Sequence, residues 1–84
     1  MATVVVTPEA LEDLDRLPAE IVARVQRLFA RLEHWPEVSG KKALSGNLAG
    51  RWRLRTGDYR VQFRVQGETV IVEKVGHRDG FYEE

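Results

Sequence analysis

Residues 51–64, RWRLRTGDYRVQFR, constrain the fold of this chain more than any other stretch. Trp52, Leu54, Tyr59, Val61 and Phe63 alternate with polar side chains on either side of the dipeptide Gly57-Asp58. Alternation with period two marks strands that bury one face. A two-residue connection with glycine first is a hairpin turn. With Gly57 and Asp58 as the turn, Thr56 pairs with Tyr59, Arg55 lies opposite Arg60, Arg53 opposite Gln62 and Arg51 opposite Arg64. The face turned away from Trp52, Leu54, Val61 and Phe63 is therefore lined with guanidinium groups. Like charges directly opposite in a ladder destabilise it. This face calls for an anion.

The rest of the chain supplies what such a hairpin needs to pack against. Residues 2–6, ATVVV, are β-branched and predict a first strand. Thr7, Pro8 and Glu9 form a helix start, with Thr as N-cap, Pro at the first position and an acid in the first turn. Leu11, Leu14 and Leu17 give that short helix one apolar stripe, and Pro18 restarts the pattern. Ile21, Val25, Leu28, Leu32 and Trp35 then recur at spacings of four and three, the mark of an amphipathic helix that ends before Pro36. Residues 36–50 hold Gly40, Gly46 and Gly50 among serines and asparagine and predict a loop. Strands follow at 51–56, 59–65 and 69–75. The predicted order is β-α-α-β-β-β, an α+β fold with two N-terminal helices packed on one face of a small, mostly antiparallel, twisted sheet.

Eighty-four residues make one domain, spanning 1–84. The chain has no cysteine, which excludes a disulfide framework and a thiolate metal site and fits a reducing compartment. The N-terminus lacks a basic lead and a long apolar run, and no stretch is long enough to span a membrane. A cytoplasmic protein without a membrane partner is expected. Thirteen basic and thirteen acidic residues cancel overall, yet Lys41–Arg64 holds seven bases (Lys41, Lys42, Arg51, Arg53, Arg55, Arg60, Arg64) against the single acid Asp58. A local basic field attracts phosphate even at zero net charge.

Planar, permanently charged guanidiniums suit phosphate better than a general solubilising role requires. The C-terminal VGHRDGFYEE adds His77, Arg78, Phe81 and Tyr82: a titratable group, a cation and rings on which a base can stack. Continued strand parity places His77 on the face of Arg53 and Arg55. The two histidines, His34 and His77, have no metal-site spacing, and no glycine-rich strand-to-helix turn exists for a nucleotide. Neither a metal nor a small-molecule cofactor is expected.

Two segments, LSGNLAGRWRLRTGDYRV (44–61) and VEKVGHRDGFYEE (72–84), carry a family resemblance. A leucine-glycine loop, a strand with basic residues two apart, a glycine-turn-tyrosine-arginine segment and a final glycine-His/Lys-Arg stretch ending in tyrosine occur in order. The chain resembles the RelE/ParE superfamily of type II toxins, specifically its RelE-like branch, over essentially its whole length. That resemblance implies a metal-independent endoribonuclease acting on messenger RNA in the ribosomal A site, by attack of a 2′-hydroxyl on the adjacent phosphate. By position, Arg53 and Arg55 match the basic pair of the catalytic strand, Arg60 the arginine after the turn, Arg78 the one near the C-terminus and Tyr82 the terminal tyrosine. His77 stands where the family has histidine or lysine. Family members often carry lysine in place of Arg53 and Arg55, and arginine keeps its proton. A general base is then to be sought at Tyr82, His77 or Glu83, or the rate rests on electrostatics alone.

The expected site has Arg55, Arg60 and Arg78 on the scissile phosphate, with Tyr82 and His77 as stacking or proton-carrying groups. Arg51, Arg53, Arg64, Lys41 and Lys42 would extend RNA binding. The resemblance also implies an acidic, partly disordered cognate antitoxin, whose segment would fold on the basic face. Internal cover of that face by Glu73, Asp79, Glu83 and Glu84 would remove the need for an external anion. Two alternatives share the fold: a ParE-type inhibitor of DNA gyrase, and a catalytically inactive, antitoxin-bound binding module.

Overall fold

The computed structural model describes residues 1–81. A five-stranded sheet is built from β1 (Thr3–Val6), β2 (Lys42–Ala43), β3 (Arg51–Thr56), β4 (Tyr59–Gln66) and β5 (Thr69–His77), in the spatial order β1-β5-β4-β3-β2. All neighbours run antiparallel except β1 and β5. The helices α1 (Pro8–Asp15) and α2 (Ala19–Leu32) intervene between β1 and β2. The α+β architecture expected from the sequence is the one observed, with one addition. Lys42–Ala43, expected within a loop, forms a two-residue edge strand on β3.

Local chemistry sets these boundaries. Thr7 caps α1, its hydroxyl accepting the Ala10 N–H at 3.1 Å. The apolar stripe of α2 buries Ile21, Val25, Leu28 and Leu32 against Leu54, Val61, Phe63, Val70, Val72 and Val75 of the sheet. Each such aliphatic side chain contributes about 1.5–3 kcal/mol on leaving water. The β3–β4 turn has Gly57 at φ 58° and Asp58 at negative φ, the conformation expected for glycine in first place. A side chain at Gly57 would also meet Arg24, whose guanidinium lies against the turn and donates to the Thr56 hydroxyl at 3.4 Å.

One irregularity shapes everything downstream. Between Gln62 and Phe63 the β4–β5 register shifts: Phe63 pairs with Val72 but Gln62 with Lys74, leaving Glu73 as the extra residue of a β-bulge. The buried positions of β5, Val70, Val72 and Val75, accordingly step by two and then by three. Beyond the bulge, residues sit opposite partners one position away from where unbroken alternation would put them. A one-residue slip exchanges faces.

β1 covers β5 only as far as Val72, and α1 takes over the remaining edge. There the Asp13 carboxylate accepts the Val75 backbone N–H at 2.9 Å. Asp13→Ala removes the acceptor and exposes a strand edge. Because hydrogen bonds to a charged group contribute about 1.5–3 kcal/mol, we expect a loss at the lower end of that range. Amide exchange at Val75 should accelerate while the β3–β4 amides keep their protection.

Candidate nucleic-acid interface

The sheet has one face under α2 and one carrying the arginines. Cross-strand pairing arranges the latter in three rows: Arg51, Arg64 and Ile71; Lys42, Arg53, Gln62 and Lys74; and Arg55, Arg60 and Gly76. The register expected from the hairpin, including Arg55 opposite Arg60 and Arg51 opposite Arg64, is the observed one. Residues from β2, β3, β4 and β5 are thus brought together by the pleat alone, with side chains two apart on one face.

The bulge then divides the face into two halves of different charge. At the end toward the β4–β5 turn, Glu73 reaches between the opposed arginines. Arg51 Nε donates to one carboxylate oxygen at 3.0 Å, and Arg64 Nε donates to the other at 3.0 Å. The two guanidiniums that strand register forces together are held apart by an acid. A groove of about 530 Å³ beside them is bordered by two more acids, Glu9 and Asp13 of α1. Arg51 and Arg64, expected as open RNA-binding residues, are engaged internally.

At the other end, toward the β3–β4 turn, the cations have no such partner. Among the described residues, Lys42, Arg53 and Arg55 make no side-chain hydrogen bond or ion pair, and Arg60 donates only to the Gly57 carbonyl at 3.3 Å. Arg78 leaves β5 beside this turn. Its backbone N–H donates to the Asp58 carbonyl at 2.7 Å, and its Nε lies 3.8 Å from carboxylate oxygens of both Asp58 and Asp79. The acids near Arg78 are exposed, so they screen it weakly compared with the Glu73 clamp.

Phe81 folds back onto the same face. A Cβ at Gly76 would lie 3.3 Å from its ring, so glycine lets the ring sit closer to the strand beside Arg60 than a larger residue would. Phe81 is 3% exposed, and Lys74 secures it, with Nζ 4.7 Å from the ring centroid and donating to the Phe81 carbonyl. The ring is packed against the strand, as a terminal aromatic that covers the edge of a core would be.

Two expected site residues lie elsewhere. His77 pairs with Tyr59 and so shares the helix-side face of Thr56 and Val75, opposite to Arg55 and Arg60. The extra residue at Glu73 causes this by reversing the parity of everything after it. His77 makes an edge contact with the Tyr59 ring at 5.2 Å, and its Nδ1 accepts the Asp79 N–H at 3.1 Å. Lys41 also points away, with Nζ 5.0 Å from the Trp35 ring centroid and 6.0 Å from that of Trp52, donating to the Pro36 carbonyl. Tyr82 and Glu83 lie outside the described residues.

Sequence reasoning named Glu73 only as one of four acids that could cover the face, and it missed Lys74 as the anchor of Phe81 and Gly76 as the seat of its ring. One signal was present: the change of apolar spacing from Val70–Val72 to Val72–Val75, interrupted by Glu73-Lys74. No group of three or more potential metal-ligating side chains occurs among the described residues. No helix among them is long and apolar enough to cross a membrane.

Comparison with known proteins places this arrangement. Residues 4–80 match the family model of the ParE toxin of the type II toxin-antitoxin system, parDE. Toxin RelG of Mycobacterium tuberculosis is 39% identical over 83 residues, covering 95% of this chain and 94% of that protein. Toxin RelE3 of Methanocaldococcus jannaschii is 26% identical over 76 residues, covering 87% and 86%. The solved toxin–antitoxin complex RelBE2 of Mycobacterium tuberculosis contains a chain superposing with a TM-score of 0.81 at 33% identity, over 92% of this chain and 98% of that one. Fold, length and sequence agree, and the chain belongs to the RelE/ParE superfamily of type II toxin–antitoxin toxins.

Proposed function

We propose that the toxin is a ribosome-dependent endoribonuclease that cleaves messenger RNA without a metal. One observation carries this reading: the unpaired cations Arg53, Arg55 and Arg60 lie with Arg78 at one end of a face whose other end holds Glu73 between Arg51 and Arg64. In the reaction, the 2′-oxygen of the substrate forms a bond to the adjacent phosphorus while the bond from phosphorus to the 5′-oxygen breaks. The hydroxyl proton leaves to a base, and the departing 5′-oxygen gains one. Arg55, Arg60 and Arg78 would hold the phosphate and stabilise the charge that accumulates on its oxygens in the transition state. Guanidiniums do not take the proton. That task falls to Tyr82 or to water, since His77 faces the helices. Lys42 and Arg53 would grip the flanking backbone.

The same face suits a partner. Several solved relatives are complexes with an antitoxin. An acidic antitoxin segment laid over Arg53, Arg55 and Arg60 would supply the anion this half lacks and hold the toxin inactive in the cytoplasm. A second reading, ParE-type inhibition of DNA gyrase, is favoured by the turning away of His77, because fixed charges grip an acidic protein without any proton carrier.

Inducible expression without antitoxin, followed by genome-wide mapping of transcript 5′ ends, separates these readings. Cuts within translated codons are the expected outcome. Arrest with intact transcripts and DNA-damage signalling would transfer the assignment to gyrase. No arrest from a folded protein would leave a binding module.

A further inference from the structure

The bulge sets Glu73 on the arginine face, at the junction of two arginines that register compels to face each other. We propose that Glu73 is a positioning residue that acts as an internal counter-anion: it withholds Arg51 and Arg64 from RNA and confines phosphate binding to the β3–β4 end. The proposal rests on the reading of the arginine face as a phosphate site.

Three features of the geometry support it. The carboxylate binds both guanidiniums at once, one oxygen to each Nε, as a bridging phosphate would. Its side chain is 21% exposed while Arg51 and Arg64 are 37% and 41% exposed, so an incoming phosphate would reach the arginines but meet the acid between them. The carboxylate is placed by backbone irregularity, since in unbroken alternation no extra residue would stand opposite Gln62. A strand meant only to carry charge would need no bulge. The result is a site whose length is set internally. Phosphates of a single strand would be held beside Arg53, Arg55 and Arg60, and the next positions along the face would be refused.

The test uses arginine Nε–H signals, observed by NMR during titration with inorganic phosphate, in the whole chain and in Glu73→Gln. The signals of Arg53, Arg55 and Arg60 should move in the parent chain, with Arg51 and Arg64 silent. In Glu73→Gln, where an amide offers one oxygen and no charge, Arg51 and Arg64 should respond as well. Glu73→Asp keeps the charge and should restore their silence, which a role in packing alone would not do.

A 2′-O-methyl RNA oligonucleotide, which lacks the attacking hydroxyl, gives the second readout. Two added phosphate contacts on a single strand should steepen the salt dependence of binding by about 1.4. The affinity lost between roughly 50 and 200 mM salt then grows about sevenfold. A response of Arg51 and Arg64 in the parent chain overturns the proposal, and needs no folded variant. Their silence in Glu73→Gln, shown to be folded, also overturns it. If those two respond only in the variant while Arg53, Arg55 and Arg60 never do, the counter-anion stands and the phosphate reading of the turn end fails.

Discussion

Replacing Arg60 or Arg78 by alanine is expected to abolish growth arrest while the protein stays folded. Removing one oriented donor from a developing oxyanion costs about 10²–10³ in rate. For the transcript-cutting activity proposed above, a loss of that size is expected to end the arrest. The structural loss is small by comparison. Arg60 contributes one bond of 3.3 Å to the Gly57 carbonyl, and the Arg78 side chain, 59% exposed, stands 3.8 Å from its nearest acids. Exposed pairs of this kind contribute about 0–1 kcal/mol. The hydrogen bond that docks the C-terminal turn, from Arg78 N–H to Asp58, uses backbone and survives the substitution. Colony counts after induction, transcript 5′-end mapping and a thermal melt together check the expectation. Arrest lost with an unchanged melt supports the clamp, and full toxicity in both variants sinks it. Arg60→Lys sharpens the result: it keeps the charge but loses the planar fork, and should retain only part of the activity.

Most of the fold was legible because period-two and helical patterns each met a turn signal that agreed with them. Gly57-Asp58 specified the register of β3 and β4 residue by residue, since a two-residue turn leaves no freedom in pairing. The α2 stripe of Ile21, Val25, Leu28 and Leu32 is buried as its spacing implies. Two things were less accessible. The strand Lys42–Ala43 is too short to show a period, and it exists because the exposed edge of β3 offers it backbone partners. The bulge at Glu73 was hidden because a register extrapolated from the Gly67 turn runs correctly from Gln66 to Phe63 and fails only beyond it. That single extra residue accounts for the misplacement of His77. It also sets Glu73 between Arg51 and Arg64, whose opposition was expected but whose partner was looked for mainly outside the chain. The opening conflict of opposed arginines therefore has two resolutions: Glu73 within the fold for one pair, and an external anion proposed for Arg55 and Arg60.

Phe63→Ala is expected to have the largest effect on stability of any single substitution in the sheet. Phe63 is fully buried at the centre of β4, paired with Trp52 across β3 and with Val72 across β5 at the edge of the bulge. Its ring meets Trp35 edge-on at 5.5 Å, and Trp35 meets Trp52 at 5.0 Å, so one side chain ties the end of α2 to two strands. Truncating a buried phenylalanine costs about 3–5 kcal/mol, and domains are stable by only about 5–15 kcal/mol. At about 4–8 °C per kcal/mol for a domain near this size, the melting temperature should fall by roughly 12–40 °C. The neighbours have little room to close the gap. Trp35 is held by Trp52 and Lys41, and the bulge pins Val72 against β1. Leu11→Ala provides the contrast: that residue is 51% exposed on α1, and its truncation should stay within about 0.5 kcal/mol. A chemical denaturation series on both variants checks the pair. A Phe63→Ala midpoint close to that of the parent would mean that the core centres elsewhere and that the register around the bulge is wrong. A large loss would show that the packing beneath the arginine face, and not the charges upon it, keeps the sheet in register.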